Sequence, residues 1–466
     1  MAPDWVQLKE IVKIKGGKRL PKGESLQSEP NSHPYIRVRD MGEKYLPREG
    51  LEFVPDSVFP KIKNYIVNEN DVIISIVGTV GLVAVIDSYF DTASQTENCA
   101  KLSGLDAIDA QYLYYCLVSP LGQREISVQT VGAVQPKLPL YGIENISVPW
   151  PIKSIREQIV RYLGRLDDKI ELNRQINSTL ESMAQALFKS WFVDFDPVID
   201  NALAAGNPIP DALQARARGR QELRTAASAS AHRLPVEIQQ LFPSRFVFTE
   251  EMGWVPEGWG VVSLRSLTSK IGSGSTPRGG SQVYLEDGVS LIRSQNVYDS
   301  EFTWDGLAHI NDEAAKQLKG VTLEEGDVLL NITGASILRT CIVPPDVLPA
   351  RVNQHVAIVR PIAGVPSKYL HLHLLNEKTK SYLMGQNAGA SREAVTKGHI
   401  ESVPTLNPGK KILFQFEKIV SPFIGSTTVR NSNIVALTVL RDSLLPKLLS
   451  GKIQVSEAEQ QLAEVI

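Results

Sequence analysis

The spacing of apolar and polar positions divides the chain into short strand-like runs followed by a long seven-residue periodicity, and it does so twice. Asp71-Val72-Ile73-Ile74-Ser75-Ile76 and Asp327-Val328-Leu329-Leu330-Asn331-Ile332 are apolar runs of strand length. Each follows a turn-forming Glu-Asn or Glu-Gly and is closed by Gly78 or Gly334. Later, Ile159, Leu166, Asn173, Leu180 and Leu187 recur every seven residues, with Leu163, Ile170, Ile176 and Met183 in neighbouring seam positions, which predicts a helix over about 154–193. Phe416, Phe423, Arg430, Leu437 and Leu444, joined by Val420 and Leu440, predict a second. Pro422 and Gly425 are expected to kink or restart that second helix, because proline forfeits an intrahelical hydrogen bond.

The two halves share more than a pattern. At a shift of 256, residues 16–79 align without a gap and give 15 identical pairs in 64 positions, among them Gly16/Gly272, Pro21/Pro277, Gly23/Gly279, Arg37/Arg293, Asp71/Asp327 and Gly78/Gly334. Average residue usage would give roughly 4. After one inserted residue the match resumes at a shift of 257, with Ala100/Ala357, Tyr112-Leu113/Tyr369-Leu370, Gly132-Ala133/Gly389-Ala390 and Ile143-Glu144/Ile400-Glu401. A period this long is a duplicated domain rather than a solenoid. Between the copies, 197–257 is rich in alanine and contains Arg216-Ala217-Arg218-Gly219-Arg220 and Ala226-Ala227-Ser228-Ala229-Ser230-Ala231. It reads as a linker with one or two exposed helices whose arginines form a solvated face, DNA contact being the second choice.

Composition narrows the chemistry. With 43% apolar and 21% charged residues, 28 prolines and 33 glycines, the 466 residues have an ordinary globular make-up and room for two or three domains. No apolar run approaches about 18 residues and no basic stretch leads into an apolar one at the N-terminus, so the expectation is a cytoplasmic chain with no membrane partner. Cys99, Cys116 and Cys341 have no ligand spacing and are expected as apolar fillers. There is no Walker run and no Gly-x-Ser-x-Gly elbow. Gly272-Ser273-Gly274 lacks the third glycine of a phosphate loop, and Asp167 with Lys169 lacks the upstream acid of a nuclease site. His371 and His373, two apart on a helix, point to different faces, which favours packing over a metal pair. No catalytic constellation and no metal site is read in either copy.

A balance of 49 basic against 51 acidic residues removes the argument from a strongly basic chain, so a nucleic-acid partner must rest on local patches. One is Lys9, Lys13, Lys15, Lys18, Arg19 and Lys22 against the single acid Glu10. Its loop, 16–23, presents Lys18, Arg19 and Lys22, and the repeat mate, 272–279, presents Ser275, Thr276 and Arg278. Near equivalent places of the two copies, Arg37 and Arg39 stand against Arg293, Gln295 and Asn296, and Gln135 and Lys137 against Arg392 and Lys397. Arginine, asparagine and glutamine make bidentate contacts to guanine and adenine edges. Variable polar tips on a shared frame are what two readers of different sequences would show.

Leu166-Asp167-Asp168-Lys169-Ile170-Glu171-Leu172-Asn173, the run from Asn177 to Pro197, Pro256-Glu257-Gly258-Trp259 and Leu444-Leu445-Pro446-Lys447-Leu448-Leu449-Ser450-Gly451 resemble the DNA specificity (S) subunit of Type I restriction-modification systems, over roughly Trp5 to Val455. The resemblance implies an α+β chain of two mixed α/β target-recognition domains, separated by two long helices that pair as an antiparallel coiled coil. The expected order is recognition domain 1 (1–153), central helical region (154–196), linker (197–257), recognition domain 2 (258–409), C-terminal helical region (410–455) and a tail (456–466). Leu166, Asn173, Leu180 and Leu187 are expected to pair with Arg430, Leu437 and Leu444, Asn173 and Arg430 meeting or lying close to set register.

A 40-residue helix spans about 60 Å, enough to hold two readers one or two duplex turns apart. The function read is therefore a non-catalytic subunit that binds a split, asymmetric double-stranded target. The implied partners are two methyltransferase subunits using S-adenosylmethionine and restriction subunits using ATP and Mg²⁺, with no cofactor on this chain. A stand-alone bipartite DNA-binding regulator, or a duplicated enzyme with an unrecognised site, are the alternatives.

Overall fold

The computed structural model describes residues 3–132, 134–225, 234–386 and 394–458. The chain forms two compact units, one of residues 1–174 with 431–466, the other of residues 175–430. The dividing points fall inside the two long helices rather than at the ends of the recognition domains. Six helices matter below: α1 (Ala107–Val118), α2 (Lys153–Phe192), α3 (Asp196–Ala205), α4 (Gln214–Thr225), α5 (Ser367–Leu375) and α6 (Lys410–Leu449).

Each unit is built on a four-stranded antiparallel sheet of one topology. In the first, β1 (Lys13–Gly16), β2 (Val72–Ser75), β3 (Val83–Val85) and β4 (Cys99–Ser103) lie in the order β1-β4-β2-β3. In the second, β5 (Thr268–Ser273), β6 (Val328–Asn331), β7 (Thr340–Ile342) and β8 (Val356–Pro361) lie in the order β5-β8-β6-β7. The apolar runs do not alternate because both sheet faces are covered. Val72 and Ile74 point into a core shared with α1 and α2, while Ile73 points into a separate one with Ile36, Ala84 and Ile86. Val328 and Leu330 against Leu329 repeat the division in the second unit. Each recognition domain thus has a proximal lobe fused to the long helices and a distal lobe on the opposite sheet face.

The two helical seams pair antiparallel. In the first unit Ile159, Leu163, Leu166 and Ile170 of α2 share a core with Leu437, Leu444 and Leu448 of α6. In the second, Ala184, Phe188 and Trp191 of α2 share one with Phe416 and Val420 of α6. Leu187 packs partly buried against that second core, and Leu180 is half-buried. Met183 is 48% exposed, and Ala184 takes the seam position expected of it. Arg430 turns back along its own helix to the carbonyl and hydroxyl of Ser426, while Asn173 is buried in the first unit.

Two sequence expectations are corrected. α6 runs unbroken through Pro422 and Gly425. Both residues are exposed, so the carbonyl of Lys418, deprived of the proline's N–H, lies where water can bond it, while Phe416 and Val420 pin the buried side. The segment 197–225 holds two helices, as expected, but the first is largely buried and two of the arginines are paired rather than simply solvated. Arg216 bonds Asp196 through two nitrogens at 2.7 Å each, and Arg220 pairs with Asp200, which fixes α4 alongside α3. Asn201 and Asn207 tie α3 to the carbonyls of Gln239, Phe242 and Ser244. The alanine-rich run 226–231 lies outside the described residues, as do Ala133, Gly389 and Ala390 of the repeat.

Candidate nucleic-acid interface

Antiparallel pairing brings the C-terminal ends of β1 and β2 and the N-terminal end of β4 to one end of the first sheet. Loops 17–23, 76–82 and 96–98 converge there. Residues 134–138 join them, because Val77 bridges Lys137 and the Leu138 N–H donates to the Ile76 carbonyl at 2.9 Å. The result is a rigid sheet end presenting four loops, the usual way a scaffold positions binding residues. Lys18, Arg19, Lys22, Gln135 and Lys137 are all exposed on it. The Lys18 ammonium lies 5.6 Å from the Tyr65 ring centre, and Arg19 pairs with Glu97 at 2.7 Å.

The second sheet ends alike. Loops 274–280, 332–339 and 353–355 meet there, and Thr333 bridges Ala394. Ser275, Thr276 and Arg278 are exposed, and Thr276 donates to the Gln354 amide oxygen at 2.9 Å. Gln354 in turn lies 3.0 Å from His355 Nε2, whose Nδ1 is 2.6 Å from the Thr333 hydroxyl. Lys397 is exposed beside Glu401 at 3.7 Å, and Arg392 lies outside the described residues. Glu97 and Gln354, one repeat apart, each hold the tip of the neighbouring loop. Sequence reasoning passed over both, because only the fold shows that they face it.

Strand pairing also relocates the repeat's gaps. Gly16 pairs with Ala100 and Ser273 with Ala357, so β1 and β5 are related by a shift of 257, not the 256 that matches Gly16 to Gly272. The shift returns to 256 at Gly23/Gly279 and becomes 257 again between Gly78/Gly334 and Gly81/Leu338. Both length changes therefore lie in loops of the presented end. The residues in equivalent places are Gly17 and Gly274, whose N–H groups donate to the Cys99 and Asn353 carbonyls. Neither site has room for a side chain: a Cβ would lie 2.0 Å from the Thr96 carbonyl oxygen at Gly17 and 1.7 Å from that of Val352 at Gly274.

Not every expected contact residue faces outward. Asn296 is fully buried; its amide donates to the Thr303 and Asp305 carbonyls while its oxygen accepts from the Arg293 N–H. It holds a turn and cannot reach a duplex. Asp40 fills the same role for the Arg37 N–H one repeat earlier. Arg37 is half-buried between Asp40 and Glu52, and Arg39, more exposed, also pairs with Glu52. Arg293 and Gln295 both donate to the Gly306 carbonyl. All five of these polar side chains thus have partners among local carboxylates or carbonyls.

His371 and His373 are buried apart from each other, His371 against the Thr340 carbonyl at 3.1 Å and His373 against the Thr405 hydroxyl at 3.0 Å. Among the described residues no group of three or more His, Cys, Asp or Glu could hold a metal, and no helix is long and apolar enough to cross a membrane. Burial pushes the two rings down to about 3 and about 4. Both are neutral in the fold and charge on unfolding, so the second unit should lose stability as pH falls below about 6.5, by up to about 1.4 kcal/mol per pH unit for each ring. Urea unfolding of H371Q against the unaltered chain between pH 7.5 and 5 checks this; an equal pH slope in both would contradict it.

The comparisons with known proteins meet this geometry. Residues 4–182 match the Type I restriction modification DNA specificity domain. The HindI specificity subunit of Haemophilus influenzae is 29% identical over 68% of this chain and 71% of its own. The MjaIX specificity subunit of Methanocaldococcus jannaschii is 21% identical over 97% and 94%. The crystal structure of a Type-I restriction-modification system S subunit from M. genitalium shares the fold, with a TM-score of 0.52 at 15% identity over 96% and 99% of the two chains. Duplicated sheets, antiparallel long helices and the matched domain all point one way: residues 4–182 carry the Type I restriction modification DNA specificity domain, and the chain is similar over most of its length to specificity subunits of Type I restriction enzymes.

Proposed function

We propose that the chain is the non-catalytic reader of a Type I complex and that each unit recognises one half-site of a split, non-palindromic double-stranded target. The carrying observation is that two sheets of one topology end in equivalent loop clusters, and that both length changes of the repeat, together with Lys18-Arg19 against Ser275-Thr276, fall in those loops. A shared frame with different tips is suited to reading two different sequences. The long helices, 40 residues each, would set the unread gap between the half-sites. Partner modification subunits would supply S-adenosylmethionine-dependent methylation, and restriction subunits the ATP- and Mg²⁺-dependent steps.

Mapping methylated bases in the host genome with and without the gene for this chain tests the reading. One two-part motif with a fixed gap should vanish on deletion. Loss of no motif, or tight target binding by the purified chain without any methyltransferase activity in the host, would favour a stand-alone regulator.

A further inference from the structure

Besides the cores, a polar contact ties each distal lobe to α2, and two of its positions are related by the repeat. In the second unit the Lys368 ammonium donates to Glu181 Oε2 at 2.5 Å and the Ser300 hydroxyl donates to Glu181 Oε1 at 2.7 Å. The Lys368 side chain is only 7% exposed. Ser300 sits on a distal-lobe turn with positive φ, Lys368 on α5 and Glu181 on α2. In the first unit the positions one repeat earlier are Lys44 and Gln111. The Lys44 ammonium donates to Gln111 at 3.1 Å and lies 3.8 Å from Asp167 on α2. Asp167 also accepts from the Tyr115 hydroxyl at 2.5 Å and from Arg441 at 2.9 Å.

Both units therefore join a distal-lobe turn, a proximal helix and a carboxylate of α2 through the same two domain positions. The cation has changed place, from 44 in one copy to 368 in the other, while the connection is kept. Apolar packing ties the proximal lobe to α2, but it is non-directional and leaves the distal lobe's angle to its own sheet. A half-buried ion pair with an added hydroxyl donor fixes that angle, because any swing leaves a charge without its partner.

We propose that Lys44 with Asp167, and Lys368 and Ser300 with Glu181, are positioning residues that set the angle of each distal lobe on α2, and through it the single gap length the subunit accepts. This rests on the bipartite reading above. One added base pair displaces a half-site by about 3.4 Å and turns it by about 35°, so tolerance of a changed gap requires the reading surface to swing.

The test is methylation mapping in cells expressing the complete complex with K368E, K368Q or the reversed pair E181K/K368E. K368E and K368Q should keep both half-site sequences but admit gaps one base pair longer or shorter, with gap discrimination reduced about tenfold or more. The reversed pair should restore a single gap, since the Ser300 hydroxyl can accept from a lysine as readily as it donates to a glutamate. If K368E yields no folded complex, K368Q decides by the same readout. A single unchanged gap in a folded variant, or altered half-site bases, would overturn the proposal. Absence of any two-part motif with the unaltered subunit would overturn the bipartite reading itself, and this role with it.

Discussion

On the proposed reading of one half-site per unit, replacing Gly274 with alanine should cut sequence discrimination by the second unit about 100-fold or more while leaving that of the first intact. The methyl group would lie 1.7 Å from the Val352 carbonyl oxygen and 2.8 Å from that of Asn353, both backbone atoms of a buried strand end that cannot retreat. The loop must yield instead, which withdraws Ser275, Thr276 and Arg278 and breaks the Thr276–Gln354 bond. If two or three base contacts at about 1–3 kcal/mol each are lost, discrimination at that half-site falls 100-fold or more. Gly17→Ala should do the same to the other half-site, against the Thr96 carbonyl. Methylation or binding measured on targets mutated in one half at a time separates the two effects. Unchanged discrimination at both halves in folded G274A would remove these loops from recognition.

Trp191→Ala should cost the second unit about 3–5 kcal/mol. Trp191 is 1% exposed, at the meeting of α2, α6 and the segment that follows α4, with ring centres 5.0 Å from Phe242, 6.0 Å from Phe192 and 6.1 Å from Phe416. Truncation empties a site lined by other rings, which cannot close over it without giving up their own edge-to-face contacts. Met183→Ala, eight residues earlier and half-exposed, should cost well under half as much. Urea unfolding monitored by far-ultraviolet dichroism gives both values. Equal losses would mean that the aromatic cluster is not the centre of this core.

The heptads of Ile159 to Leu187 located the first helix within a residue of its ends, and those of Phe416 to Leu444 fall inside the second, which stops at Leu449, six residues short of the expected 455, because a long seam repeats its signal many times but does not mark where it stops. The duplicated sheets were legible for a related reason: the glycines and the buried acids Asp71 and Asp327 are retained along with the aliphatics. Pro422 misled because the penalty of a proline depends on whether its orphaned carbonyl faces water, which a linear pattern does not disclose. Asn296 and Arg37 misled because a polar side chain looks the same in sequence whether it awaits a ligand or satisfies its own backbone. Arg216 and Arg220 read as a solvated face because their partners, Asp196 and Asp200, stand 20 residues away on another helix. Glu97 and Gln354 went unnoticed since nothing local marks a residue whose partner is a loop 78 residues distant.

The division of the chain at Arg174/Gln175 and Arg430/Asn431 has a consequence for how the protein is made. The second unit is one continuous stretch and can fold as soon as it leaves the ribosome. The first is not: Arg441 reaches Asp167, and the Ala458 carbonyl accepts from the Tyr162 hydroxyl, across 274 and 296 residues of sequence. At about 5–20 residues per second, the earlier-born half of the first unit waits roughly 13 to 50 seconds with Leu166 and Ile170 uncovered until Leu437 and Leu444 emerge. The unit translated first is therefore the last to be finished, and the interval of exposed apolar helix is where nascent-chain chaperones and misassembly would act.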